Sequence, residues 1–290
     1  MPILVTGATS LIGFCVCHAL RDSGAPVRVP LSAAEQRQAA AEALRVLGCE
    51  VVEADLREPA SLPRHFFKVE RVFLHVPLSA EAARVERQLL DVARDTSKPE
   101  VVKLSSPGAA PNGSALGQVH YEGETALRES GLRWTVLQPA SLMQNFLLLR
   151  SAIDAGEMPL PLDEAAVNFI DLRDVVRVAV KVLTNRGHHE RIYPLTGREA
   201  LTGHEIARIF SSVLDRPVVY RNLDEEQTAA ALQGTGFDPW LRESLKELYA
   251  RYRDGWGDRT TDTVSRITNR DPHRFADFVR EYFAPQGQGG

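Results

Sequence analysis

Ile3-Leu4-Val5-Thr6-Gly7-Ala8-Thr9-Ser10-Leu11-Ile12-Gly13 opens the 290-residue chain with a short apolar run, a glycine-bracketed turn and the start of a helix. Residues 3–6 read as a buried strand, and Ile12, Val16, Ala19 and Leu20 fall on one face of the helix that follows. Gly7 permits a tight turn after the strand, and Gly13 lets the helix lie close to the sheet. The first turn of such a helix offers unpaired N–H groups and a partial positive charge, which suit a pyrophosphate. Any tight strand-to-helix turn also favours glycine. A strand directly before the turn and an amphipathic helix directly after it favour the nucleotide-binding reading. The middle loop position is Ser10, where glycine is usual; serine is small and can hydrogen-bond.

The alternation continues outward from this loop. Gly24 stops the first helix, and strands are expected at 27–31, 50–54, 71–76, 101–105 and 133–138. Helices are expected around 40–47, 80–95 and 117–130. Strands and helices at this spacing imply right-handed crossovers and a parallel sheet. The fold class is therefore α/β: a doubly wound parallel Rossmann sheet with a smaller, mainly helical C-terminal substrate lobe. The expected division is a core over 1–140, with sheet additions from about 166–196, a mixed lobe over 141–284 and a flexible tail over 285–290.

Beyond residue 141 the rhythm loosens. A helix is expected at 142–153, a Pro-rich stretch at 158–162, a strand at 166–170, a helix at 171–183 and a strand at 192–195. Thr202-Gly203-His204-Glu205 is a capping box that starts a helix to about Leu214. Asp224-Glu225-Glu226-Gln227 is a second, similar cap. A short strand at 218–220 lies between them, and helices near 239–253 and 272–283 follow.

The formal net charge is −4 at pH 7 and the pI about 6.1, so nothing calls for nucleic acid or an anionic membrane. Cys15, Cys17 and Cys49 are too few and too oddly placed for a disulfide framework, and read as free thiols in a reducing cytosol. No basic segment precedes an apolar run at the N-terminus, and no apolar stretch reaches the ~20 residues of a membrane span. The expected location is cytoplasmic, the expected partner a small-molecule substrate, and the assembly a monomer or homodimer. His188-His189 lacks companion ligands, so no metal site is expected.

Dinucleotide folds place Asp or Glu at the end of the second strand for an NAD ribose, or Arg nearby for an NADP 2′-phosphate. Here the stretch Val29-Pro30-Leu31-Ser32-Ala33-Ala34 carries no acid, and its nearest cations are Arg28 and Arg37. The absence of the acid argues against NAD. Arg37 either reaches a 2′-phosphate or is a solvated surface residue.

The ordered set Val5-Thr6-Gly7-Ala8-Thr9, Val101-Val102-Lys103-Leu104-Ser105-Ser106, His120-Tyr121-Glu122-Gly123-Glu124, 127–137, Met143-Gln144-Asn145-Phe146, Phe169-Ile170-Asp171-Leu172-Arg173-Asp174-Val175 and 193–197 resembles the NmrA-like, atypical short-chain dehydrogenases. That group includes NADPH-dependent quinone oxidoreductases. The resemblance runs from Ile3 to about Phe278. It implies a Rossmann core, an NAD(P)(H) cleft at the strand carboxyl ends, and a substrate pocket under the C-terminal lobe. The expected cofactor is NADP(H) ahead of NAD(H). It places Gly7, Thr9, Ser10, Leu11, Ile12 and Gly13 against the pyrophosphate and Ser32 near the adenosine ribose. Asp55 and Leu56 would lie by the adenine. Val76, Pro77, Ser105 and Pro139 would line the nicotinamide side. Three positions depart from the family pattern: Ser10 for glycine, Ser32 for the common arginine, and Gln138 in a Leu-Arg-Pro segment.

The Tyr-x-x-x-Lys pair of ordinary short-chain dehydrogenases is absent, because Thr125 stands four residues after Tyr121. Hydride transfer to a quinone or iminium needs little acid help. His120 titrates near neutral pH and is the candidate general acid, or else caps or packs its helix. Tyr121 either hydrogen-bonds a substrate or packs. Lys103, on the same strand face as Ser105, is either a cation near the nicotinamide or a snorkelling strand-edge lysine. Met143, Asn145 and Phe146 are candidate pocket residues, although such a stripe is commonly core. Trp240, with Tyr249 and Trp256, either walls an aromatic substrate or fills the lobe. Asp171, Arg173 and Asp174 read as an ion-pair cluster joining lobe and sheet. The function that follows is an NAD(P)H-dependent reductase of a small electrophile of quinone, enone or imine type. A redox-silent isomerase or cyclase, or a non-enzymatic NAD(P) sensor, are the alternatives.

Overall fold

The computed structural model describes residues 1–284. The tail expected over 285–290 lies outside the described residues. In chain order the first elements are β1 (Ile3–Val5), α1 (Leu11–Asp22), β2 (Val27–Leu31), α2 (Ala39–Val46), β3 (Glu50–Glu53), α3 (Pro63–Phe66), β4 (Arg71–Leu74), α4 (Ala82–Asp95), β5 (Glu100–Leu104), α5 (Ala115–Glu129) and β6 (Trp134–Pro139). There follow β7 (Ser141–Leu142), α6 (Arg150–Asp154), β8 (Glu157–Leu160), β9 (Ala166–Ile170), α7 (Leu172–Thr184), β10 (Arg191–Leu195), β11 (Ala200–Thr202), α8 (Gly203–Leu214), β12 (Val219–Asn222), α9 (Glu225–Gln233), α10 (Pro239–Arg253), α11 (Thr263–Thr268) and α12 (Phe275–Phe283).

Two compact units result: Met1–Gln138 with Val176–Pro194, and Pro139–Val175 with the chain from Leu195 onward. The first holds a seven-stranded sheet in the order β10-β6-β5-β4-β1-β2-β3. The five pairings from β6 across to β3 are parallel. This is the expected α/β doubly wound architecture. The order reverses between β1 and β4, and at such a switch point the loops diverge and leave a crevice at the strand carboxyl ends. Strands buried on both faces need continuous apolar runs, and β1 and the inner part of β2 supply them. α1 ends at Asp22 with Ser23 as its C-cap, and Gly24 takes a left-handed φ of +80° that lets the chain turn into β2.

The second unit mixes helices with short strands. β9 carries β7 in parallel and β11 antiparallel, and β12 pairs with β8 in parallel. Both expected capping boxes form, Thr202 with Glu205 opening α8 and Asp224 with Gln227 opening α9. The helix expected over 142–153 is instead a 3-10 run, Met143–Leu149, followed by the short α6. The Pro-rich stretch contributes strand β8, with Pro159 on the β12 edge. The core of this unit is aromatic. Phe146 meets Phe169 and Phe275 edge to face, with ring centroids 5.1 and 5.0 Å apart, and Phe210 and Phe278 extend the cluster. Such pairs favour edge-to-face contact because ring edges are positive and faces negative.

Candidate functional site

Ser10 builds the glycine loop. It is the N-cap of α1, its Oγ donating to the Gly7 carbonyl (2.8 Å) and accepting from the Gly13 N–H (3.1 Å). Gly7 sits at φ +61°, and a Cβ there would lie 2.6 Å from the His75 carbonyl oxygen. A Cβ on Gly13 would lie 2.2 Å from the Gly7 carbonyl oxygen. Only glycine fits either place. With the Gly13 N–H taken by Ser10 and that of Phe14 by the Ser10 carbonyl, the Leu11 and Ile12 N–H groups of the first turn have no intrahelical acceptor. They face outward with the helix's positive end.

Thr6 and His75 tie this loop to the neighbouring strand across the switch point. Thr6 Oγ1 donates to the His75 carbonyl (2.8 Å) and accepts the His75 N–H (2.9 Å). The His75 ring meets Ser10 Oγ through Nε2 at 3.0 Å. Because the Ser10 hydroxyl proton is directed to Gly7, Nε2 is the donor, which fixes a neutral tautomer. Burial, with the Lys103 cation adding to it, pushes the His75 imidazole down to about 4. Sequence reasoning missed His75, and its position directly past the fourth strand was the available clue.

The other sequence-derived cofactor positions gather along one edge of the first unit's sheet. Ser32 follows β2, Asp55 and Leu56 follow β3, Val76 and Pro77 follow β4, Ser105 follows β5, and Pro139 closes β6. Asp55 spends a carboxylate oxygen on the Arg57 N–H (2.9 Å). Val76 is buried, while Pro77 is exposed. Ser105 is buried and its hydroxyl donates to Glu124 on α5 (2.6 Å), so it braces the helix rather than pointing freely from the sheet edge. Gln138 donates to the same Glu124 oxygen (2.8 Å) and Arg128 to the other (3.1 Å). The departure at Gln138 thus completes a satisfied carboxylate.

Arg37 stands exposed on a 3-10 turn. The residue that closes on Ser32 is Glu35, absent from the sequence reading. Its carboxylate accepts from the Ser32 N–H and Oγ, both at 2.8 Å, and from Thr9 Oγ1 at 3.3 Å. Ser32-Ala33-Ala34-Glu35 has the spacing of a capping box, which was the missed clue.

Lys103 is not a strand-edge lysine. β5 lies between β4 and β6, and the side chain is 0 % exposed. Its Nζ is 2.5 Å from Glu86 Oε1 on α4. The second oxygen of Glu86, Oε2, has no hydrogen-bond partner among the described residues, and burial raises the carboxyl's pKa against the pull of Lys103. Gly123 on α5 makes room for this pair, since a Cβ there would fall 1.8 Å from Glu86 Oε2.

His120, also on α5, does not titrate near neutral pH. Burial, then the charge of Lys103 and then His75, lower its imidazole to about 3, so the ring is neutral across the physiological range. Tyr121 is half-buried on the same helix. Thr125, in the place of the usual lysine, is half-buried with its hydroxyl unpartnered among the described residues.

The substrate positions separate in the second unit. Met143 and Phe146 are each 2 % exposed and belong to the aromatic core rather than to a pocket wall. Asn145 is exposed and Trp240 half-buried on α10. Trp256 stacks on Tyr252, and Tyr249 packs edge to face against the same tyrosine. The Asp171 cluster stays within the second unit: Arg173 pairs with Asp171 (2.7 Å) and Glu281 on α12, and Asp174 accepts from the His273 N–H. His188 pairs with Tyr193 at 3.0 Å. Among the described residues no group of three His, Cys, Asp or Glu can hold a metal ion, and no helix is long and apolar enough to cross a membrane.

The sequence profile of the NmrA-like family matches residues 1–264. An NAD(P)H azoreductase of Xenophilus azovorans is 35% identical over 98% of this chain and 99% of its own length. A (4-alkanoyl-5-oxo-2,5-dihydrofuran-3-yl)methyl phosphate reductase of Streptomyces griseus is 32% identical over 98% and 100%. Among solved structures, the NADPH complex of an Escherichia coli NADPH-dependent quinone oxidoreductase shares the fold. Its TM-score is 0.86 at 24% identity, over 97% of this chain and 99% of that one.

Proposed function

The chain belongs to the NmrA-like family and is an oxidoreductase, and on that premise we propose that it is an NADPH-dependent reductase of small electron-poor acceptors. Azo, quinone, enone and imine groups are the acceptors in question. The observation that carries this reading is the glycine loop at the switch point: a helix N-terminus stripped of side chains at Gly7 and Gly13, with two N–H groups free to bind a pyrophosphate. The full-length similarity to an NAD(P)H azoreductase supports it.

A nicotinamide cofactor, when bound, would supply the hydride. The chain's own residues hold and orient. The Leu11 and Ile12 N–H groups would receive the pyrophosphate, and Ser10 and His75 keep the loop in the conformation that presents them. Hydride acceptors of this kind are electron-poor already, so no cationic acid is required. A neutral His120 donates one N–H to the charge that develops on the acceptor. Burial, with the Lys103 charge adding to it, keeps that imidazole unprotonated.

The test is NADPH oxidation by the purified chain against a panel of azo dyes, quinones, enones and imines. Turnover with at least one class is expected. His120 predicts a rate that does not fall along a pKa near 6.5, because its ring is already neutral above about pH 3. His120→Ala is expected to lower kcat about tenfold to a hundredfold. No turnover across the panel, or full turnover in His120→Ala, contradicts the respective assignment.

A further inference from the structure

The end of β2 carries no acid in sequence, yet the fold returns one to it. Glu35 folds back so that Oε2 takes both the N–H and the hydroxyl of Ser32, the first residue past β2. Its other oxygen, Oε1, takes the hydroxyl of Thr9 in the glycine loop. A capping box uses a carboxylate to satisfy the chain on one side only. Here the second oxygen bridges outward, and the carboxylate spans from the end of β2 to the phosphate loop. In dinucleotide folds the ribose that carries the adenine lies between these two elements, with its 2′ and 3′ positions at the end of the second strand.

Of the two nearby cations, one is already engaged. Arg28 is bound to Glu50 (2.9 Å) and to the carbonyls of His65 and Phe67. Arg37 lies exposed, two residues beyond the carboxylate. The group fixed by hydrogen bonds at this corner is therefore a hydrogen-bond acceptor.

Resting on the reductase reading, we propose that Glu35 reads the 2′ position of the adenosine ribose. Its carboxylate accepts a hydrogen bond from a 2′-hydroxyl and repels a 2′-phosphate. The site then takes NADH beside NADPH, and holds NADPH less tightly than the loop alone would. A 2′-phosphate entering this corner has to displace the carboxylate from Thr9 and Ser32.

Glu35→Gln isolates the charge, because an amide oxygen keeps the box. Wild type and variant are titrated by calorimetry with NADPH and NADH, and with the fragments 2′,5′-ADP and ADP, which differ at the 2′ position. The variant is expected to bind NADPH and 2′,5′-ADP about tenfold more tightly or better. NADH and ADP should weaken by about threefold at most. Glu35→Ala, which also drops the box, should move the NADPH-to-NADH ratio in the same direction. A ratio unchanged within about twofold in both variants, with binding intact, overturns the role of Glu35 alone. A folded wild-type chain that binds neither dinucleotide overturns it together with the reductase reading.

Discussion

The sheet core of the first unit holds buried ion pairs, and the largest core cluster of the second is built of rings. Under the sheet of the first, Lys103 is paired with Glu86, and Glu124 gathers Ser105, Gln138 and Arg128. In the second, Phe146, Phe169, Phe210, Phe275 and Phe278 fill the same kind of interior with aromatic volume. A buried ion pair adds little net stability, since desolvation offsets attraction, but it fails badly when one partner is lost. An aromatic core adds stability in proportion to area and fails in proportion to the cavity left. The charged interior lies beneath the proposed site, where Lys103 adds to the burial that lowers His75 and His120. The second unit also buries Asp171 and Asp174, and its aromatic cluster includes Tyr220 and Tyr252, but the rings serve packing.

Single truncations should look alike in the two units, and their rescue should not. Lys103→Met leaves Glu86 buried without its cation and is expected to cost about 3–5 kcal/mol in urea unfolding. Phe275→Ala is expected to cost about 3–5 kcal/mol through its cavity. Adding Glu86→Leu to Lys103→Met should recover most of the loss, because the pair is removed whole. A double variant no more stable than Lys103→Met would show that the first interior depends on packing, as the second does, and would erase the contrast.

A smaller effect concerns acid. His75 is held at about 4, below the usual 6.5. The unfolded chain therefore takes up a proton as pH falls below about 6.5, while the folded chain resists until about pH 4. The stability tied to the neutral ring is complete above that window and is lost as pH falls through it. Between pH 7 and 4.5 the Tm of His75→Leu should fall less than that of wild type. Equal slopes would mean that His75 is protonated in the folded chain, and that its hydrogen bond to Ser10 is arranged differently.

The alternation of strands and helices was legible because each element obeys a local rule: period, glycine stop or cap. Thr202 and Asp224 announced their helices through the spacing of their boxes alone. The same spacing at Ser32 and Glu35 was overlooked because no long apolar helix follows it, only a 3-10 turn. Lys103 and Glu86 are far apart in sequence, and their pairing depends on where α4 lies over β5, which no local pattern encodes. Nor does any local pattern encode the burial of His120, so its ring looked free to titrate. Met143 and Phe146 were ambiguous in principle, since an apolar stripe reads the same whether it faces a core or a ligand.

The central claim is that the glycine loop binds a pyrophosphate for hydride transfer, and the direct measurement is NADPH titration of wild type against Gly13→Val. The variant's Cβ would fall 2.2 Å from the Gly7 carbonyl oxygen and push the loop open. Wild type should bind NADPH at micromolar concentration or better, and a folded Gly13→Val chain should lose about a hundredfold or more in affinity. No binding by wild type at millimolar NADPH, or equal binding by the two chains, would contradict the account.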